Sequence, residues 1–265
     1  MPWGHGLAPG AFSAGANHAE RLFDGTAPDA VEQLAASLLA ELTPPWSRWF
    51  GLRPGHDVGL DDRDELAGVL DSAAARAQGH FDRSNFAVEI HQCFLDLVTT
   101  GTATLLFEEA PIGALSAFRF TAIPAAEIYI DGDVNGQIDR HFRVTTATAT
   151  ELRRRFPSAA VPAGPAAAGE GGTDGKLELV EMVAAHGHQH EYLALLPAQS
   201  DAVSTPVVIA RGLFDQSPFL TFRWMKGTGE LYGRSPVMTA LPDIKTANKV
   251  VELVLKNASI AATGI

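Results

Sequence analysis

The closing helical segment constrains this chain more than anything before it. Ser235-Pro236 opens that segment, with a hydroxyl able to cap and a proline in the first turn, where no N–H is needed. Counting about 100° per residue from Lys245, the side chains of Lys249, Glu252 and Lys256 fall within about 40° of it. Ile244, Val250, Val251, Leu253, Val254, Leu255, Ala258 and Ala261 cover most of the remaining circumference. A rod that is apolar except for one narrow charged stripe is expected to be enclosed on several sides. It is either a core helix with one wet edge or a helix packed between neighbouring copies, with its stripe facing a channel. The chain offers it no other partner, which favours the second arrangement. On that reading Lys245, Lys249, Glu252 and Lys256 face a channel. Val250, Val251, Val254, Leu255 and Ala258 then meet the neighbouring subunit. The segment runs out at Ala261-Ala-Thr-Gly-Ile265 with neither a cap nor a polar tail, so further polypeptide is expected beyond it.

Composition removes several function classes. The 265 residues suffice for one large domain or two small ones. With 31 acidic and 20 basic residues the net charge is -11, which repels phosphate at long range and argues against tight wrapping of nucleic acid. Transient passage of DNA is compatible with it. The single cysteine, Cys93, rules out an internal disulfide; inside the helical pattern Ile90-His-Gln-Cys-Phe-Leu it reads as a buried, inert thiol. No apolar run reaches the ~20 residues that span a bilayer. Met1-Pro-Trp-Gly-His lacks the basic start and apolar centre of a signal peptide.

Along the chain, residues 1–20 are rich in Gly, Ala and Pro and read as a flexible arm. A helix is expected from Thr26 as cap, with Pro28 and Asp29 in its first turn and Leu34, Leu38 and Leu42 on its apolar side, until Pro44-Pro45 stops it. Trp46, Trp49 and Phe50 should anchor that helix end in the core. A second helix begins near Asp61, with Leu66, Val69, Leu70 and Ala73 facing inward. A third carries Phe86, Ile90, Phe94, Leu97 and Val98 as one stripe, capped by Ser84 or Asn85 and broken by Gly101. Strands follow at 102–109, 118–123, 127–131 and 138–145, then a short helix at 148–156. The Ala- and Gly-rich stretch 157–175 should be a flexible surface excursion. Strands resume at 177–185, 192–196, 207–212 and 219–224. The fold class is therefore α+β.

Candidate chemistry is sparse. His186-Gly-His-Gln-His190 has metal-ligand flavour, but on one strand the outer rings would stand roughly 13 Å apart, and Gly187 with Gln189 also suits a hairpin turn. Asp131, Asp133 and Asp139 with Glu127 surround a turn without the spacing of a calcium loop. Gly227-Thr-Gly-Glu-Leu-Tyr-Gly lacks the endings of a phosphate loop or a dinucleotide fingerprint and reads as a tight turn. No nucleophile elbow and no paired carboxylates stand out. No catalytic residue, metal ligand or cofactor is assigned.

Eight short landmarks resemble, in order, the head-to-tail connector (portal) proteins of short-tailed bacteriophages. They are Leu22-Phe-Asp-Gly-Thr-Ala; Thr43-Pro-Pro and Trp49-Phe with Leu52; Ser84-Asn-Phe; Asp96-Leu-Val-Thr-Thr-Gly-Thr-Ala103; Ile123-Pro with Glu127-Ile-Tyr-Ile; Pro218-Phe with Arg223-Trp; Tyr232-Gly-Arg-Ser-Pro; and Leu241-Pro-Asp-Ile-Lys-Thr-Ala-Asn. The resemblance implies an α+β wing domain over 21–234, helices packed on short antiparallel strands, followed by the first stem helix at 235–265. The family continues into a clip and further helices, so the chain would end before the clip. The helical segment that usually precedes the first landmark is missing or degenerate in residues 1–20, and the 157–175 loop is a departure. The implied function is structural rather than enzymatic: a ring of about a dozen copies at one capsid vertex, through which double-stranded DNA is packaged and later ejected without sequence specificity. The implied partners are other copies, capsid and scaffold proteins, a terminase motor and tail adaptors. The implied location is the virion, after assembly in the host cytoplasm. Two other readings stay open: a metal-dependent hydrolase using His188, His190 and nearby carboxylates, and a different phage head or tail adaptor.

Overall fold

The computed structural model describes residues 22–55, 59–133, 135–162, 175–198 and 205–263. Among the described residues, five helices and eight strands alternate in long blocks rather than one by one. Three helices come first, α1 (Thr26–Leu42), α2 (Leu60–Asp82) and α3 (Phe86–Thr100). The strands β1 (Thr102–Glu109), β2 (Phe118–Ile123), β3 (Ile128–Gly132) and β4 (Ile138–Thr148) follow, and then the short helix α4 (Ala149–Arg155). The strands β5 (Lys176–His186), β6 (Gln189–Leu196), β7 (Val207–Phe214) and β8 (Phe219–Arg223) lead to the terminal helix α5 (Pro236–Thr263). All pairings are antiparallel and form two sheets, β2-β1-β8 and β3-β4-β5-β6-β7. Such blocks of helices and antiparallel strands make an α+β fold.

The chain divides into two compact units, Val31–Thr239 and a smaller one made of the segment up to Ala30 with Ala240–Ile265. Three apolar clusters build the larger unit. In the first, Phe86, Ile90, Cys93, Phe94 and Leu97 of α3 pack on Ala103 and Leu105 of β1 and Phe120 of β2, with Ala35, Leu38 and Leu39 of α1 alongside. A second joins Ala149 and Leu152 of α4 to Leu177, Leu179, Ala194, Leu196 and Ile209 of the larger sheet. The third bridges the sheets, with Leu106, Ile123 and Phe219 meeting Ile128, Ile130 and Val183.

The predicted stripe of α3 is buried throughout, and Gly101 ends it in the left-handed region at φ 84°. Cys93 lies at 1 % exposure, where burial pushes its thiol up to about 12, so it is the inert side chain its surroundings suggest. At the entry to α3, Ser84 Oγ accepts from Phe86 N, while Asn85 turns its amide to both the N–H and the C=O of Phe120 on β2. The α4 entry is a full capping box between Thr148 and Glu151.

Several expectations fail locally. Thr26 does not cap α1: it is the first helical residue, and its N–H and hydroxyl both donate to the Asp24 carboxylate, at 3.0 and 2.7 Å. Those bonds hold the Asp24 carboxyl below its usual range, the Thr26 hydroxyl contributing most. The inward stripe of α1 is Ala35, Leu38 and Leu39, leaving Leu42 exposed. Trp49 stacks on Phe86 and meets Phe50 and Phe81 edge-on, but Trp46 is 75 % exposed and anchors nothing. Among the described side chains of α2 the buried ones are Ala74 and Gln78, with Phe81 packing on the core, whereas Leu66, Val69 and Ala73 face outward. The supposed excursion at 157–175 is partly core-bound, because Ala159 and Val161 pack on the cluster under α4. Residues 163–174 of that stretch lie outside the described residues, as does the arm at 1–20.

A buried carboxylate was not anticipated. Glu181 on β5 is 3 % exposed. Its oxygens accept two bonds from the Arg155 guanidinium, 3.1 and 2.6 Å, and one from the Tyr192 hydroxyl, 2.7 Å. The pair clamps the last turn of α4 to the sheet, and burial together with the adjacent carboxylate raises the Tyr192 phenol well above its ordinary value.

Candidate functional site

The segment that launches α5 is tightly built. Gly101 and Gly233 cross so closely that a Cβ on Gly233 would fall 2.1 Å from the Gly101 carbonyl oxygen, and one on Gly101 would fall 2.5 Å from that of Gly233. Only two residues without side chains can pass at that distance. The crossing is stitched by Gly233 N donating to Thr102 Oγ1 at 2.8 Å and Trp224 N donating to Gly101 O at 2.9 Å. On either side, Tyr232 Oη accepts from Ile130 N, Arg223 donates to Leu231 O, and Arg234 forms a forked ion pair with Glu230. Ser235, 1 % exposed, accepts from Met238 N at 2.9 Å as the helix cap and donates to Thr99 O at 2.9 Å. Pro236 fills the first turn as predicted. The run from Tyr232 to Pro236 thus fixes the start of α5 within the larger unit.

Past Thr239 the helix belongs to the smaller unit, where two separated landmarks meet. Asn248 Oδ1 accepts from Phe23 N at 2.7 Å and from Asp24 N at 3.2 Å, so the entry to α1 is tied to the middle of α5. On the charged stripe, Lys249 donates to Glu252 at 2.9 Å and Lys256 donates to its other oxygen. The two ammonium groups, Lys256 first, hold the Glu252 carboxyl below its usual range. Lys245 makes no ion pair among the described residues. The stripe therefore keeps a positive excess on solvent-facing lysines.

The apolar faces of α5 differ from the core-helix expectation. Among the described residues none of α5 is buried. Val250, Leu253, Val254, Leu255 and Ile260 are each about half exposed or more, with Val254 at 59 %; Val251 alone of the proposed contact valines is half-buried, and Ala258 is exposed. Pro242 sits inside the helix, where it removes the N–H that would bond the Met238 carbonyl.

The histidine cluster folds as a turn. Gly187 takes φ 65°, Ala185 pairs with His190 and His186 with Gln189 across the β5–β6 hairpin. His186 and His188 are exposed, and among the described residues no three His, Cys, Asp or Glu side chains converge to hold an ion. The acidic turn is internally engaged: Asp131 and Asp139 pair with Arg140, Glu127 pairs with Arg143, and Asp133 accepts from the N–H groups of Asn135 and Gln137. Beside it a cleft of about 460 Å³ opens between Asp131, Asp133 and Asn135 on one side and Lys226, Glu230 and Leu231 on the other, where Lys226 donates to Gly136 O. Gly229 takes φ 77° and Glu230 N donates to Gly227 O, so the Gly-rich stretch is the tight turn that was predicted.

One polar joint escaped the sequence reading. His141 on β4 places Nε2 3.0 Å from Thr221 Oγ1 on β8, which bonds Thr104 Oγ1 on β1 at 2.7 Å, linking the two sheets. Burial, then the charge of nearby His190, lowers His141 to about 4, with Asp139 opposing, so the ring is neutral in the folded protein.

No curated protein sequence matches the chain significantly. The profile of a family described as bacteriophage head to tail connecting protein matches residues 8–265.

Proposed function

The chain belongs to the bacteriophage head-to-tail connecting proteins, a structural component of the virion that joins capsid and tail; from that premise we propose that it is a subunit of a portal ring at one capsid vertex. In this reading residues 21–234 form the wing, residues 1–20 an arm, and 235–265 the first stem helix. About a dozen copies surround a channel through which double-stranded DNA enters, driven by a terminase motor, and leaves into the tail. Capsid and scaffold proteins hold the ring from outside, and tail adaptors close it.

The single observation that carries the reading is the bare α5. A helix with Val250, Leu253, Val254 and Leu255 in water has apolar faces that a neighbouring copy would cover. Val250, Val251, Val254, Leu255 and Ala258 are the proposed subunit contacts, and Lys245, Lys249, Glu252 and Lys256 the proposed channel stripe. Glu252 partly neutralises its lysines, and the chain's net charge of -11 disfavours trapping of phosphate, which suits a duct more than a DNA-binding site. The metal-dependent hydrolase reading has no ligand set to support it among the described residues.

Negative-stain imaging of the purified protein tests the ring: closed rings are expected, and a monodisperse monomer at every concentration overturns the proposal. For the stripe, Lys249→Glu should impair DNA packaging while leaving soluble yield unchanged, since the residue is exposed. Equal loss of both would make Lys249 a folding residue instead.

A further inference from the structure

The turn between β3 and β4 holds the one asparagine of this chain that is followed by glycine, Asn135-Gly136; the other four, Asn17, Asn85, Asn248 and Asn257, precede His, Phe, Lys and Ala. An asparagine carboxamide is a latent electrophile, because the main-chain nitrogen of the next residue can attack its Cγ. Glycine leaves that approach open, having no side chain to obstruct it. Asn135 is exposed to water and hydroxide, and Gly136 takes φ 72°. The competing positions are better guarded. Asn85 commits its amide to both backbone groups of Phe120. Asn248 and Asn257 lie within α5, where each following N–H is directed along the helix axis, away from the side chain.

Asp133 sets the pace at the open position. Its Oδ1 accepts from Asn135 N and from Gln137 N, each at 2.8 Å, and its Oδ2 accepts from Asn135 Nδ2 at 3.0 Å. Its carbonyl oxygen accepts from Gly136 N at 3.0 Å. These bonds, the Gln137 amide first, hold the Asp133 carboxyl below its usual range, so it remains an ionised acceptor at neutral pH. The clasp engages both the attacking nitrogen and the departing amide. Each bond must be given up before a ring can close, which slows the reaction without blocking it. Lys226 Nζ donates to Gly136 O at 2.8 Å, so the same turn also tethers the loop that leads toward α5.

We propose that Asn135-Gly136 is a site of spontaneous deamidation paced by Asp133. Gly136 N gives its proton to hydroxide and bonds Asn135 Cγ. The Cγ–Nδ2 bond breaks as the amide takes a proton from water and leaves as ammonia, and a cyclic succinimide remains. Water then opens either carbonyl, giving an aspartyl or an isoaspartyl link and one new negative charge. The isoaspartyl form adds a methylene to the main chain, so the Asp133 bonds and the Lys226 tether cannot all re-form. The new carboxylate stands beside Asp131, Asp133 and Glu230 on the cleft described above.

The test ages the full chain at neutral pH in oxygen-18 water, digests it in ordinary water, and follows every asparagine-containing peptide by mass spectrometry. The label should enter tryptic peptide 120–140 first, at Asn135, and Asn135→Gln should abolish it. Asp133→Ala should speed the reaction about fivefold, the worth of one lost hydrogen bond. Lys226→Ala, which loosens the same turn without removing those bonds, should leave the rate near wild type. Label appearing first at another asparagine overturns the site. So does an inert Asn135 in the folded chain when the isolated peptide reacts. An Asp133→Ala rate equal to wild type, or matched by Lys226→Ala, overturns the role given to Asp133.

Discussion

Helices α3 and α5 are built from similar apolar residues and end in opposite circumstances. The 15 residues of α3 bury Phe86, Ile90, Cys93, Phe94, Leu97 and Val98 against two strands, whereas the 28 residues of α5 bury none. Both are rich in apolar side chains, α3 the more so with its two phenylalanines; the larger difference is the supply of neighbours. Two strands of a three-stranded sheet lie under α3. Within the smaller unit the described partner of α5 is the short segment entering α1, which offers backbone N–H groups to Asn248. The contrast teaches that stability in this chain is held by the Val31–Thr239 unit, and that α5 contributes surface. Perturbations of the first region should register as lost stability, and those of the second as altered association.

The largest effect is expected at the glycine crossing. Gly233→Ala forces a methyl onto the Gly101 carbonyl, with the Arg223 Cβ 3.0 Å away as well and no far end of a flexible side chain to give way. It should cost about 3–5 kcal/mol of unfolding free energy by denaturant titration, and a change under 1 kcal/mol would mean the crossing is looser than described. Next comes Arg155→Ala, which strands the Glu181 carboxylate with only the Tyr192 hydroxyl as partner. A loss of about 3 kcal/mol is expected, and near-neutrality would show that water reaches Glu181.

Acidification probes the joint between the sheets. His141 titrates near 6.5 when unfolded and about 4 when folded, so the native state binds fewer protons than the unfolded state across that interval. Its contribution is complete above pH 6.5 and disappears as pH falls toward 4. His141→Gln should flatten the acid limb of stability over this window; an unchanged slope would assign the limb to other groups. The smallest effect belongs to Ser235→Ala, about 1–2 kcal/mol from a lost cap and a lost bond to Thr99, with fraying confined to the first turn of α5. A larger loss would mean that α5 supports the core after all.

Much of this was legible in the residues because the local signals agreed. Phe86 through Val98 repeat at helical spacing and stop at a glycine, and β1 and β2 are short runs of strand-forming residues between turn residues, so their limits coincide with the structure. The α2 stripe was misread because its buried face is made of Ala74 and Gln78, which carry weak hydropathy, while the more apolar Leu66 and Val69 face outward. Glu181 did leave a signal: in β5 it occupies the inward register of Leu177, Leu179 and Val183, where a carboxylate needs a partner. His141 left none, because its partner Thr221 and the Phe219 ring stacked on it lie on β8, distant in sequence. The Tyr232–Pro236 landmark was recognisable as a pattern, but the reason for its glycine emerged only with the Gly101 contact.

Hydrogen exchange of the Ala240–Thr263 amides, compared between dilute monomer and assembled protein, tests the central claim most directly. If sister copies enclose α5, protection should rise by orders of magnitude on assembly, most at Val250, Val254 and Leu255. Equal protection in both states would show that the exposed faces of this helix are not where the copies meet.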